Sequence, residues 1–122
     1  MKDSLDSFLP LAPATLHILL ALAGKDLHGY AIMQDVARRS EGVVKLGPGT
    51  LYGAIGRMLE DGLIEESEER PDPEMDDARR RYYRLTELGG DVLAGETKRQ
   101  SVLVRAARAS KAIRSMKPAE ER

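Results

Sequence analysis

In the segment PGTLYGAIGRMLEDG, residues 48–62, helical spacing puts Leu51, Ala54, Ile55, Met58 and Leu59 on one arc and Gly49, Thr50, Tyr52, Gly53, Gly56, Arg57 and Glu60 on the other. The second arc offers hydroxyls at Thr50 and Tyr52 and a guanidinium at Arg57, groups that donate to phosphate oxygens and to base edges alike. Gly53 and Gly56 sit at its centre, where each costs about 0.8–1 kcal/mol relative to alanine. Two glycines on one solvent-facing arc thin the helix for close approach to another molecule. Arg79 and Arg80, at the end of a polar stretch further on, carry planar forks that match phosphate and guanine geometry. Lys45, in the turn before the segment, is a candidate phosphate contact. The chemistry on offer is recognition of a polyanion by hydrogen bonds, with no bond made or broken.

Each of these residues has a plainer reading. The helix could be an ordinary amphipathic one with two tolerated glycines. The arginine run could pair with Glu65, Glu66, Glu68 and Glu69 on a facing strand, and Arg81 and Arg84 are better placed for that than Arg79 and Arg80.

Other chemistries find little support. The 122 residues include no Cys, which removes disulfides, thiolate ligands and thiol nucleophiles, and suits a reducing cytoplasm. His17 and His28 are the two histidines and have no ligand-type partners at helical spacing, so both are expected to be structural and no metal or other cofactor is expected. No serine lies in a nucleophile-elbow motif and no glycine-rich phosphate cradle is present, so an enzyme is not expected. The longest apolar stretch, Ile18 to Ala23, is far too short to span a bilayer. A soluble, cytoplasmic protein with no membrane partner is the expectation. Net charge is −1, which by itself does not announce a nucleic-acid binder. The charge is segregated, however: from Glu60 to Asp77 there are ten acidic residues and one basic one, and Arg79, Arg80, Arg81 and Arg84 follow at once.

The elements that must position these residues are mostly helical, with a small β-hairpin. Residues 1–12 read as an N-terminal arm, loose through residue 9. Pro13 suits the first position of a helix running to about Ala23, apolar on two sides: Leu16, Leu19, Leu20 and Ala23 on one, Ala14, Ile18, Ala21 and Leu22 on the other. Such a helix needs two surfaces to bury against, and Ile18 and Leu22 are assigned to a partner subunit. A second helix spans His28 to about Arg39, with Tyr30, Ile32, Met33, Val36 and Ala37 inward and Gln34, Asp35 and Arg38 outward. The third helix begins at Pro48 and is stopped by Gly62. Leu63–Ser67 and Arg81–Leu85 are expected as strands, and the long polar connection between them has the shape of a wing. Thr86 caps a last helix from Glu87 to about Met116, bent or partly solvated at residues 95–101, whose Val102, Leu103, Ala106 and Ile113 are assigned to dimerisation. The domains are thus 13–86 for a winged helix-turn-helix, 87–116 for a C-terminal dimerisation helix, and 117–122 for a basic tail.

With these residues in place, the chain from about Leu16 to Gly89 resembles the PadR family of bacterial transcriptional regulators. The resemblance rests on LHGYAIMQDV (27–36), LGPGTLYGAIGRMLEDGLIEE (46–66) and RRRYYRLTELG (79–89), in that order and spacing. It implies a winged-helix domain that binds double-stranded, pseudopalindromic operator DNA as a homodimer and represses transcription. Thr50 and Tyr52 fall on the family's recognition helix, Arg79 and Arg80 on its basic wing, and the single last helix matches the shorter members. Asp77 and Ala78 stand where many members have glycines before the wing arginines. The last helix has no aromatic residue, so the drug-sandwich mechanism of some small members does not carry over. An unidentified small-molecule effector among the Leu, Val and Met side chains of a dimer interface stays open. So do two readings from other classes: a winged-helix protein-interaction module docking through the acidic stretch, and a ligand-binding dimer without an operator.

Overall fold

The computed structural model describes residues 5–68 and 80–116. Helix α1 (Pro13–Leu22) is followed by a two-residue strand β1 (Leu27–His28), helix α2 (Gly29–Arg39) and helix α3 (Pro48–Glu60). Strands β2 (Ile64–Ser67) and β3 (Tyr82–Leu85) then lead into the long helix α4 (Glu87–Ala109) and a single turn, α5 (Lys111–Arg114). The strands form an antiparallel sheet in the order β1-β3-β2, with Leu27 opposite Tyr83, Glu65 opposite Arg84 and Glu66 opposite Tyr83.

Local sequence explains most of the boundaries. Pro13 and Pro48 occupy first turns, where a missing N–H costs nothing. Gly62, at φ +77°, ends α3: its N–H reaches Leu59 O at 3.2 Å, and the N–H of Leu63 reaches Met58 O at 2.9 Å. That paired closure satisfies two end-of-helix carbonyls and reverses the chain into β2. Thr86 caps α4 as expected, its hydroxyl accepting from Gly89 N at 3.0 Å while donating to Gly62 O at 2.6 Å. One side chain therefore fastens the start of α4 to the turn after α3.

The core draws Ile18, Leu19 and Leu22 from α1, Ile32 and Val36 from α2, and Leu51, Ile55 and Met58 from α3, with Leu63, Ile64, Tyr83 and Val92 closing it. Ile18 and Leu22, assigned from sequence to a partner surface, are 0% and 2% exposed within the single chain and have no area left to offer a second one. Leu20 and Ala23 form the outward side instead. Both sides of α1 are apolar, so its pattern does not say which one the chain itself covers.

Four further expectations are corrected. The strand pairing at Leu27–His28 adds a third strand to the expected hairpin. Tyr30 points outward and Asp35 inward, because α2 starts at Gly29 and buries the stripe Gly29, Ile32, Asp35 and Val36. Buried Asp35 is compensated by Arg38, by Arg39 Nε at 2.6 Å and by Lys25 at 3.9 Å. The last helix, expected to run unbroken to about Met116, is partly solvated over residues 95–101 without bending there and breaks at Ser110, whose hydroxyl accepts from Ile113 N and starts α5. Nor is the segment before α1 loose over its described part, since Leu5, Phe8, Leu9 and Leu11 pack against the core.

Candidate nucleic-acid interface

Helix α3 buries Leu51, Ala54, Ile55 and Met58 and leaves Gly49, Thr50, Tyr52, Gly53, Gly56 and Arg57 exposed, as the spacing predicts. Leu59, expected inside, lies at the edge and is exposed. Nothing inside the described chain asks for the glycines of this face. A Cβ on Gly49 or Gly56 would meet no described atom within 4 Å, and one on Gly53 would touch only Arg57 Nη1 at 3.6 Å. None of the three has a positive φ. They keep the helix thin without serving the fold.

Lys45 is exposed in the turn between α2 and α3. Arg79 and the wing tip, including Asp76, Asp77 and Ala78, lie outside the described residues, as do Glu69, residues 1–4 and the basic tail at 117–122. Arg80 is described and exposed at the base of the wing. Arg81 and Arg84 pair with glutamates of the facing strand. Arg84 Nε donates to Glu65 Oε1 at 3.0 Å, and Arg81 Nε lies 3.5 Å from Glu66 Oε1, both across the β2–β3 ladder. Among the described wing cations, Arg80 has the distinctive setting: Nη1 lies 3.1 Å from His28 Nε2.

Between the start of α2, the side of α3 and the base of the wing there is an open cleft of about 360 Å³. His28, Tyr30, Tyr52, Tyr83, Arg80 and Arg81 surround it, and Gly29 forms its floor. Tyr52 leans across α2: a Cβ on Gly29 would stand 2.3 Å from the Tyr52 hydroxyl oxygen. Glycine at position 29 is what lets that ring lie down. His28 caps α2, its Nδ1 accepting the Ala31 N–H at 3.2 Å, and its ring meets Tyr82 edge to face at 5.2 Å. Burial, followed by the Glu66 charge and Tyr52, pushes the Tyr83 phenol above the ordinary tyrosine value, with Arg81 opposing, so it remains a protonated donor at neutral pH. The sequence gives no hint of this cleft, because its parts come from β1, α2, α3 and β3. The adjacency of His28 and Gly29 was visible, but not that both face Tyr52 and Arg80.

Val102, Leu103, Ala106 and Ile113 are all exposed. Every residue from Ser101 to Ala109 is exposed, so the second half of α4 projects beyond the described body with an apolar stripe uncovered. Among the described residues, no group of three or more His, Cys, Asp or Glu is arranged to hold a metal ion. No described helix is long and apolar enough to cross a membrane.

Known proteins are similar to this chain in sequence and fold. The chain is 34% identical over 94 residues to a transcriptional regulator of Mycobacterium tuberculosis, a match covering 77% of this chain and 81% of that protein. It is 37% identical over 83 residues to an uncharacterised transposon protein of Streptomyces fradiae, of which it spans 21%. Among solved structures, a PadR family transcription regulator from Clostridium difficile superposes with a TM-score of 0.64 at 28% identity, covering 80% of this chain and 96% of that one. A PadR-like regulator from Bacillus cereus, at 19% identity and a TM-score of 0.65, shares the fold over 87% of this chain and 93% of its own. The family described as "Transcriptional regulator PadR-like family" matches residues 18–95. With its winged-helix architecture and these matches, the chain belongs to the PadR-like family of transcriptional regulators.

Proposed function

We propose that the chain is a sequence-specific DNA-binding repressor that acts as a homodimer on pseudopalindromic operators. The observation that carries this reading is the open outer arc of α3, where Gly53 and Gly56 keep the surface thin although no contact with the described residues and no backbone angle calls for glycine. A duplex seated there would meet Thr50 and Arg57 on the helix, Lys45 in the preceding turn, and Arg79 and Arg80 from the wing. The short face bearing hydroxyls suits entry into a major groove, and the wing arginines suit the adjoining backbone and minor groove.

Residues 13–86 then form the DNA-binding unit and 87–116 the dimerisation helix. The uncovered Val102, Leu103, Ala106 and Ile113 support a second copy as the partner, because a solvated helix with such a stripe gains burial by pairing. Leu20 and Ala23 extend that surface on α1 in place of Ile18 and Leu22. Twofold pairing would set two α3 helices about 34 Å apart, one turn of the duplex. An effector that favours one packing of α4 would change this spacing and release the operator; operator affinity unaffected by any cell-extracted metabolite would oppose that step.

Footprinting with purified protein on the DNA upstream of its own coding region tests the reading. A protected palindrome with two half-sites one helical turn apart is the expected result. Binding that ignores sequence and half-site spacing would reject the operator-specific dimer.

A further inference from the structure

Gly29 opens α2 and is buried. Its φ lies outside the left-handed region, so the backbone does not call for glycine there. A neighbouring side chain does. The three atoms nearest to a Cβ on Gly29 would all belong to Tyr52, with Cε1 at 3.1 Å, Cζ at 2.8 Å and the hydroxyl oxygen nearer still. Packed side chains do not approach so closely, so the Tyr52 ring lies where glycine alone leaves room for it. The ring thereby reaches from α3 onto a firm floor. His28 Nδ1 caps the same end of α2 by accepting the Ala31 N–H at 3.2 Å, and Leu27 and His28 pair with Tyr83 and Tyr82 of the wing strand β3. Tyr83 lines the cleft alongside Tyr52.

We propose that Tyr52, seated on Gly29, is a positioning residue that fixes the orientation of α3 relative to the base of the wing. The inference rests on the DNA-binding reading above, and it gives Tyr52 the part of a strut in place of the hydroxyl contact expected from sequence. From beneath, α3 is held by Leu51, Ala54, Ile55 and Met58. Apolar packing of that kind resists separation but accommodates a small roll of the helix. A wide ring braced on the backbone of α2 opposes the roll. Contacts from α3 and from the wing bear on one duplex, so a changed angle between them spoils contacts to base edges first, whereas long cationic side chains can still follow the phosphates. Gly29 is itself covered, so a methyl added there acts on DNA through Tyr52.

The test uses the full chain, the duplex protected in the footprinting experiment, and a duplex of equal length with both half-sites scrambled. The readout is the ratio of the two affinities, measured well below the thermal unfolding of each variant. A residue that only stabilises the fold leaves this ratio unchanged in the folded molecules. Gly29→Ala, which pushes the ring off its seat, and Tyr52→Ala, which removes it, should each lower the ratio roughly ten-fold, the scale of one mismatched base pair. Their salt slopes on the scrambled duplex should stay at the wild-type value, because no cation is lost. Tyr52→Phe keeps the ring and should keep the ratio. The Gly29→Ala/Tyr52→Ala double variant should match Tyr52→Ala alone, because the added methyl no longer meets the ring.

Wild-type protein that fails to prefer one duplex over the other would remove the operator-binding reading and the strut with it. Wild-type protein that discriminates while Gly29→Ala and Tyr52→Ala keep its ratio, or lose it independently of each other, would overturn the strut alone. Tyr52→Phe losing as much as Tyr52→Ala would assign Tyr52 to a direct hydroxyl contact and overturn its positioning part. Should Gly29→Ala not fold, the comparison of Tyr52→Phe with Tyr52→Ala decides by itself.

Discussion

The backbone N–H of Leu11 donates to Glu96 Oε2 at 3.1 Å, tying the segment before α1 to the middle of α4. Glu96 is fully buried, and its other partners are Arg99, through Nε at 2.5 Å and Nη2 at 3.1 Å, and Gln100 at 3.4 Å. Leu9 packs beside it, 3.5 Å from where a Cβ on Gly95 would stand. One carboxylate thus helps join the N-terminal segment to the helix whose far end carries the proposed dimer surface.

The Arg99 hydrogen bond holds the Glu96 carboxyl below its ordinary value against the opposing effect of burial, with Leu11 N–H and Gln100 assisting. A folded-state value below the unfolded one means that the contribution to stability is complete above the ordinary carboxylate range and is lost as pH falls through the folded value. Glu96→Gln should lower the unfolding midpoint at neutral pH and flatten its decline on acidification. Glu96→Ala, which strands the Leu11 N–H, should cost about 1–3 kcal/mol. Thermal melts of the three proteins from neutral to acidic pH check this, and parallel acid profiles would contradict it.

Gly89 lies against the turn after α3 so closely that a Cβ would fall 1.9 Å from Leu63 O and 2.9 Å from Leu63 C. Backbone atoms there are held in place: Leu63 O also accepts the Thr86 N–H at 3.1 Å. Gly89→Ala should therefore destabilise the chain by about 3 kcal/mol or more, at the upper end of overpacking costs. Denaturant unfolding measures it; a loss below about 1 kcal/mol would show that the junction yields.

Glu41 takes the left-handed position that ends α2, at φ 54°, and passes the closing bond to Gly42, whose N–H reaches Ala37 O at 2.7 Å. The left-handed region costs a residue with a Cβ about 1–2 kcal/mol, partly offset by the lower unfolded-state entropy it has relative to glycine. Glu41→Gly should raise stability by about 0.5–1 kcal/mol, read as a shift in urea midpoint at constant slope.

Much of this arrangement was legible in the chain itself. Prolines at helix starts, Gly62 after α3 and Thr86 before α4 act over one turn, and each does in the structure what its local chemistry dictates. The two arcs of α3 were equally readable, because one is apolar and the other is not. What escaped depends on partners far away in sequence. Tyr30 is outside and Asp35 inside because the burial stripe of α2 runs through Gly29. Charged Glu96 resembles a solvated residue until Leu11, 85 positions earlier, is brought to it. The cleft that joins His28, Tyr52 and Arg80 depends on the short β1–β3 pairing, which two residues are too few to signal.

Leu103 and Val102, both about half exposed on the projecting part of α4, make a separate test of pairing. Leu103→Glu should leave the helical content of the chain nearly unchanged, since the residue is outside the single-chain core, yet shift its mass in solution toward the monomer. Sedimentation over a range of concentrations reads this directly. An unaltered dimer would move the pairing surface away from α4.

The proposed operator recognition rests most on the open face over Gly53 and Gly56, and measuring stability and duplex affinity together on Gly53→Ala and Gly56→Ala tests it most directly. Relief of the helix cost of glycine should stabilise each variant by about 0.5–1 kcal/mol. Affinity for the footprinted operator should fall roughly ten-fold, the scale of one mismatched base pair, because the added methyl stands where the duplex must approach. Gains in stability with undiminished operator affinity would contradict the claim that this face of α3 is kept thin for DNA.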